Sequence, residues 1–299
     1  MDKKKSNILM KYIVFCILAT IVAAAAVVGL GGRLNFHLIM LIFLIVVILT
    51  LPIEAIRIFI IYQKLDKNLK VLQPILEDRC DPIKYLEKVQ RLLQKEDCHV
   101  YLKHNKFLNS QFEIALSGGY YYSNDNQKAA ETCLNILSVI SEGVNKKQQF
   151  VIKYVVYTAL VGIYMKDNDI SAARGYYEKI KKIRAKVSTW KMTTKTIFIL
   201  SLMDDSIKML DALFLSAEGK YTEALTYYLQ AWKKEDNTQL TKVVVQSNLA
   251  GTYEHLGDED KCKACLSYVV EHGGSTFMAR NAREKLVIQN KIMKVVTQP

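Results

Sequence analysis

The chain has 299 residues, is 51% hydrophobic and 23% charged, and holds only 4 Pro and 13 Gly. That composition excludes a disordered or collagen-like chain and calls for long regular elements with few breakers. A formal net charge of +12 excludes an acidic solvating protein.

Residues 12–30 carry no charge. At 1.5 Å per residue such a helix reaches about 29 Å, enough for a bilayer core of ~30 Å. Leu34 to Ile53 is also uncharged, and a short glycine-rich turn with Arg33 separates the two stretches. The pattern predicts a two-helix transmembrane hairpin over residues 1–62, with spans at about 12–30 and 34–56. Lys3, Lys4, Lys5 and Lys11 flank one end, and Arg57, Lys64, Lys67 and Lys70 the other. Positive flanks stay inside, so both termini are expected to be cytoplasmic, at the inner membrane of a bacterial-type cell. The basic start and the small residues Ala23 to Ala26 also fit a cleaved secretory signal peptide. Glu54 and Arg57 can pair on one helix face near the cytoplasmic end, where snorkelling suffices.

Residues 63–80, charged and containing Pro74, read as a stalk. Asp81-Pro82 then marks a helix start, with Asp as N-cap and Pro at the first helical position. Ile83, Leu86, Val89 and Leu93 form an apolar stripe, and helical spacing recurs to the end of the 81–299 domain. Within it, residues 248–269 place Leu249, Ala250 and Tyr253 on one helix, Gly257-Asp258 at a turn, and Cys262, Leu266 and Val269 on a second helix. The same frame recurs as Ala212, Leu215, Gly219, Ala224, Tyr228 and Ala231, and as Leu160, Val161, Tyr164, Ala173, Tyr177 and Ile180. A weaker copy gives Gly118, Tyr121, Ala130, Leu134 and Leu137.

These copies resemble the tetratricopeptide (TPR) repeat. The resemblance covers roughly residues 105–272, with longer steps than the 34 residues of a tight array, so some helices are lengthened or inserted. It implies an all-α fold: a TPR-like α-solenoid of helix pairs, in which small residues let two helices approach and large ones fill the gap to the next pair. Ala279, Ala282, Leu286 and Met293 continue the helical spacing, with Arg280, Arg283, Lys285 and Lys291 on the other face, as a C-terminal capping helix requires.

The resemblance also implies a partner groove built from the first helix of each pair. Carried over position by position, it takes in Val155, Thr158, Gly162 and Met165, then Ser206, Met209 and Leu213, then Val244, Ser247, Gly251 and Glu254. The Lys and Asn with which chaperone-binding members clamp a C-terminal carboxylate are missing from these positions. What remains is apolar and small, suited to an amphipathic helix or an apolar peptide, unless inserted helices fill it.

Catalytic signatures are absent: there is no GxSxG, P-loop, HExxH or GxGxxG. The six cysteines are scattered, and a cytoplasmic domain keeps them reduced. Cys262 and Cys265 lie two residues apart with His255 and His272 nearby, but both fall on a predicted helix, where Cys262 takes the small interior position. No metal and no cofactor are expected. Lys179 to Lys195 holds seven Lys/Arg and no acid. Within it, Lys181, Lys182, Arg184 and Lys186 are candidates for contact with an anionic surface such as lipid headgroups, against the plainer reading of a solvated helix face. Nucleic acid is disfavoured, since no helix-turn-helix or RNA-recognition signature accompanies the charge. Together these features lead to the expectation of a non-enzymatic, membrane-anchored scaffold or adaptor with an unidentified protein or peptide partner. The alternative is a peptide- or ligand-responsive regulatory sensor.

Overall fold

The computed structural model describes residues 17–22, 25, 36–95, 98, 101–140 and 144–296; the side chains of residues 36–39, 42, 47–54 and 289–296 fall outside that description. The described residues are helices joined by short turns and contain no strand. They belong to two compact units, Met1–Leu65 and Asp66–Pro299.

In the first unit, residues 17–22 are helical, and α1 (Phe36–Glu77) begins at Phe36. The predicted span 12–30 and the turn at Arg33 lie almost wholly outside the described residues. The apolar run of the second predicted span opens α1, and the helix continues unbroken as far as Glu77, through most of the segment read as a stalk. Among the described residues, no helix is long and apolar enough to cross a membrane. This corrects the expectation of a transmembrane hairpin, and with it that of a multi-pass inner-membrane protein with both termini cytoplasmic. A crossing needs about 20 consecutive apolar residues in one helix. The described side chains of α1 give no such run: those between residues 40 and 46 are apolar, and those from Arg57 on include Lys64, Asp66, Lys67 and Lys70.

The second unit is an array of antiparallel helix pairs with a solenoid-like architecture. After α2 (Pro82–Gln94) come the pairs α3 (Lys106–Ser123) with α4 (Asn126–Val139), α5 (Lys146–Lys166) with α6 (Ile170–Val187), α7 (Thr194–Ala217) with α8 (Tyr221–Trp232), and α9 (Gln239–Leu256) with α10 (Glu259–His272). Helix α11 (Phe277–Val296) follows. Each helix packs on its sequence neighbour. The first helices also stack as α3 on α5, α5 on α7, and α9 on α11.

One turn builds all four pairs. The first helix ends on a residue in the left-handed region: Asn124, Asn168, Gly219 or Gly257, with φ of 80°, 60°, 76° and 74°. The next residue's N–H then reaches back five positions, from Asp125 to Tyr120, Asp169 to Tyr164, Lys220 to Leu215 and Asp258 to Tyr253, at 2.8–3.0 Å. This satisfies a carbonyl that the helix end would otherwise leave unpaired. At three of the turns an Asp side chain then caps the second helix, accepting from the N–H of Lys128, Ala172 or Lys261. Lys220 has no side-chain cap.

The turn sets the register of the core. Four residues after each of these second positions stands a fully buried small side chain: Ala129, Ala173, Ala224 and Cys262. Four further on stand buried Cys133, Tyr177, Tyr228 and Leu266. On the first helices the matching small positions are Ser117, Val161, Ala212 and Ala250, all buried. In the three later pairs these are the residues of the sequence frame. In the first pair the frame stands one residue earlier than the sequence spacing suggested: Ala129, Cys133 and Ile136 are buried, Ala130 is only half-buried, and Leu134 is exposed. The Ser117 hydroxyl fills its place by donating to the Ala129 carbonyl oxygen at 3.1 Å, within 3.0 Å of the Cys133 sulfur.

The end of the array also meets its start. The Ser275 N–H donates to the Cys80 carbonyl oxygen at 3.1 Å and its hydroxyl to Asp81 Oδ1 at 2.8 Å. The Arg280 guanidinium donates to the Ser123 carbonyl oxygen at 2.9 Å. Phe277 packs edge-on against Tyr121, with the Lys166 ammonium 3.5 Å from its ring centre. Burial here drives the Lys166 pKa down to about 8, with Arg280 adding to the fall and Asp167 opposing it. Gly274, at φ +54°, lets the backbones touch: a Cβ there would stand 2.5 Å from the Cys80 carbonyl oxygen.

Candidate interaction surface

A cleft of about 370 Å³ lies between residues 66–77 of α1, α3 and α5. Its walls are mainly apolar: Leu69 and Leu76 from α1, Phe107 and Ile114 from α3, and Val151 and Val155 from α5. Asp66, Lys70, Gln73, Glu77 and Gln111 supply polar edges. Asp66 and Lys70 pair with each other at 2.6 Å along α1. Burial, with Asp78 beside it, raises the Glu77 carboxyl above its ordinary value. Burial likewise pushes the Tyr85 hydroxyl up to about 12. A volume in this range, with few polar groups on apolar walls, suits a small ligand or the side chains of a docked segment.

Of the groove residues expected from sequence, Val155 lies in this cleft with its side chain exposed. Thr158 is one turn further along α5, half-buried, its hydroxyl donating to the Tyr154 carbonyl oxygen. Met165 and Leu213 pack on one shared core of α5, α6 and α7, so they act as cluster edge rather than open surface. Met209 and Ser247 are half-buried, on α7 and α9. Glu254 is exposed and paired with Lys285 of α11. The row is not continuous, because between α7 and α9 the packing runs through α8. Sequence reasoning missed the α1 wall of the cleft, although Leu69, Leu72 and Leu76 at helical spacing carried the signal.

The basic run is partly neutralised. Arg184 makes a two-pronged bond to Asp204 at 2.8 and 3.0 Å. That bond holds the Asp204 carboxyl below its usual range. Lys181 pairs with Glu178 at 3.0 Å. Lys182 and Lys186 are exposed. Cys262 and Cys265 are both buried and outside any disulfide, and burial pushes the Cys265 thiol up to about 11. His255 stacks on Tyr221 and His272 packs against Tyr268. Among the described residues no cluster of His, Cys, Asp and Glu could hold a metal ion.

Compared with known proteins, the chain matches no family model, no curated protein and no solved structure.

Proposed function

We propose that this chain is a protein–protein interaction module: a TPR-like array that docks an apolar peptide or helix in the cleft between residues 66–77, α3 and α5. The cleft carries this reading, because it is lined by first-helix residues and contains Val155. Four turns of one geometry and a recurrent small buried position support the TPR-like part. A residual open face beside a helix of the same chain is what an adaptor offers to a second apolar segment. No residue is assigned a catalytic role. A second reading, a ligand-responsive sensor, is favoured by the cleft volume, which also suits a small molecule.

Affinity purification of the full chain tests both. The adaptor reading expects a stoichiometric protein partner that is lost when Val155→Asp places a charge on the cleft wall. A small molecule that co-purifies and is lost with the same variant favours the sensor. A partner held equally by wild type and variant removes this cleft from either role.

A further inference from the structure

Helix α7 has 24 residues, and the helix that pairs with it, α8, has 12. At 1.5 Å per residue these are about 36 and 18 Å long. The turn at Gly219 runs α8 back along the C-terminal half of α7, where the hydroxyls of Ser216 and Tyr228 meet at 3.3 Å. Just past the end of α8, Lys234 pairs with Asp205 near the middle of α7. The N-terminal half of α7 therefore has no covering from its own partner helix.

That half is nevertheless well anchored. Leu200 and Met203 are buried in the core shared with α5 and α6, and the Tyr154 hydroxyl donates to the Met203 carbonyl oxygen at 3.0 Å. Its other face presents Ile197, Phe198 and Leu202 at 58%, 63% and 51% exposure, with Met192 exposed just before the helix. Contiguous exposed apolar side chains of this size mark contact surfaces.

Charge identifies what covers them. Both acids on this stretch are already taken, Asp204 by Arg184 and Asp205 by Lys234. Lys191 stands exposed just before α7, Lys195 in its first turn and Lys186 on the neighbouring α6, while Lys208 acts on Asp204 together with Arg184. The shelf is an apolar strip with a cationic rim at its N-terminal end. A second molecule of this chain presenting the same face would oppose like charges. We infer that the uncovered half of α7 docks an acidic amphipathic helix of a partner protein, about three turns long, in the lane that α8 leaves open. This surface is separate from the cleft at α3 and α5 and stands whether or not that cleft binds a partner.

A library of random 14-residue peptides, displayed on phage and selected on the immobilised full chain, tests this. Enriched peptides are expected to combine apolar residues at i, i+3 or i+4, and i+7 with flanking Asp or Glu, and to become helical when bound. Their affinity should fall by about tenfold or more for the double variant Phe198→Ser, Leu202→Ser. It should fall several-fold for Lys191→Glu, Lys195→Glu, and on going from about 0.1 M to 1 M salt. The pair Val287→Ser, Ile288→Ser, which alters exposed apolar residues of α11, should leave binding unchanged. All of these side chains are exposed, so melting temperatures should hold. The charge-reversal pair keeps the test decisive if the apolar pair destabilises the chain. Failure to enrich any peptide, enrichment of peptides without this pattern, or equal binding to both α7 variants overturns the proposal. Loss of phosphatidylserine-vesicle binding in the Phe198, Leu202 variant, with peptide binding intact, also overturns it and assigns the face to a lipid surface.

Discussion

The four pair-forming turns and the single junction between residues 79–81 and 274–280 hold the second unit together in different ways. Each turn is local. A left-handed residue and one reach-back hydrogen bond close a helix pair from residues a few positions apart, and the same solution recurs four times. The junction is unique and joins residues almost two hundred positions apart. Stability in a linear helix array is shared between neighbouring pairs. A junction between its ends adds coupling that no single pair contains, so damage there should be felt at both ends, whereas damage at one turn should stay local.

The largest expected effect tests the junction. Gly274→Val adds a branched side chain at positive φ against the Cys80 and Arg79 carbonyl oxygens and should cost about 3 kcal/mol in denaturant unfolding. Native-state hydrogen exchange should show protection lost in both α2 and α11. Loss confined to α11 would mean that the ends are not coupled.

Next comes the interior of one pair. Ala224 is fully buried, and Ala224→Leu should overpack α7 against α8 at a cost of roughly 2 kcal/mol. Increased exchange should be concentrated in α7 to α9. A wild-type melting temperature would remove this residue from the close helix contact.

A smaller effect distinguishes among the turns themselves. Gly257→Ala should cost about 1 kcal/mol, because Ala is strained at φ +74°, even though the space around it is open. Asn168→Gly, at φ +60°, should be neutral or stabilising by a few tenths of a kcal/mol. Equal losses in both variants would contradict a shared turn geometry.

The smallest expected effect is pH dependence at the junction. Lys166 titrates near 8 in the folded chain, against an ordinary value of 10.5. Between those values the unfolded chain binds more protons, so this group makes stability rise with pH through that window. Below about pH 8 both states are charged and the burial penalty is felt in full. Buried tyrosines and cysteines with raised values act in the opposite direction at the alkaline end. The comparison with Lys166→Met isolates the lysine. Urea midpoints from pH 7 to 10 should show wild type gaining on the variant as pH rises, and parallel curves would refute the shifted lysine.

How much of this was legible in the sequence varies with the residue that carries it. The last two turns are announced by Gly219 and Gly257, because glycine between two helical stripes has few other uses. The first two are made by Asn124 and Asn168, which take the same left-handed conformation but also occur throughout ordinary surface helices. In the first pair the spacing points one residue late, to Ala130 instead of Ala129, whereas in the second it points to the buried residues themselves. In the candidate site, Val155 was legible from its repeat position. Met165 and Leu213 were not legible as cluster edge, because their burial depends on how α5, α6 and α7 come together.

The sequence by itself determined the all-helical class and the small buried positions of the later pairs, since each follows from local propensity and 3.6-residue periodicity. Only the tertiary structure decided that Gly274 must be glycine, since the atom it avoids belongs to Cys80. It alone showed that Arg184 and Asp205 are already neutralised by partners on other elements. It alone left one face of the N-terminal half of α7 exposed, because α8 stops at Trp232 and the covering of one helix depends on the length of another. Contacts between distant residues are set by how the elements assemble, and no window of local pattern contains that information.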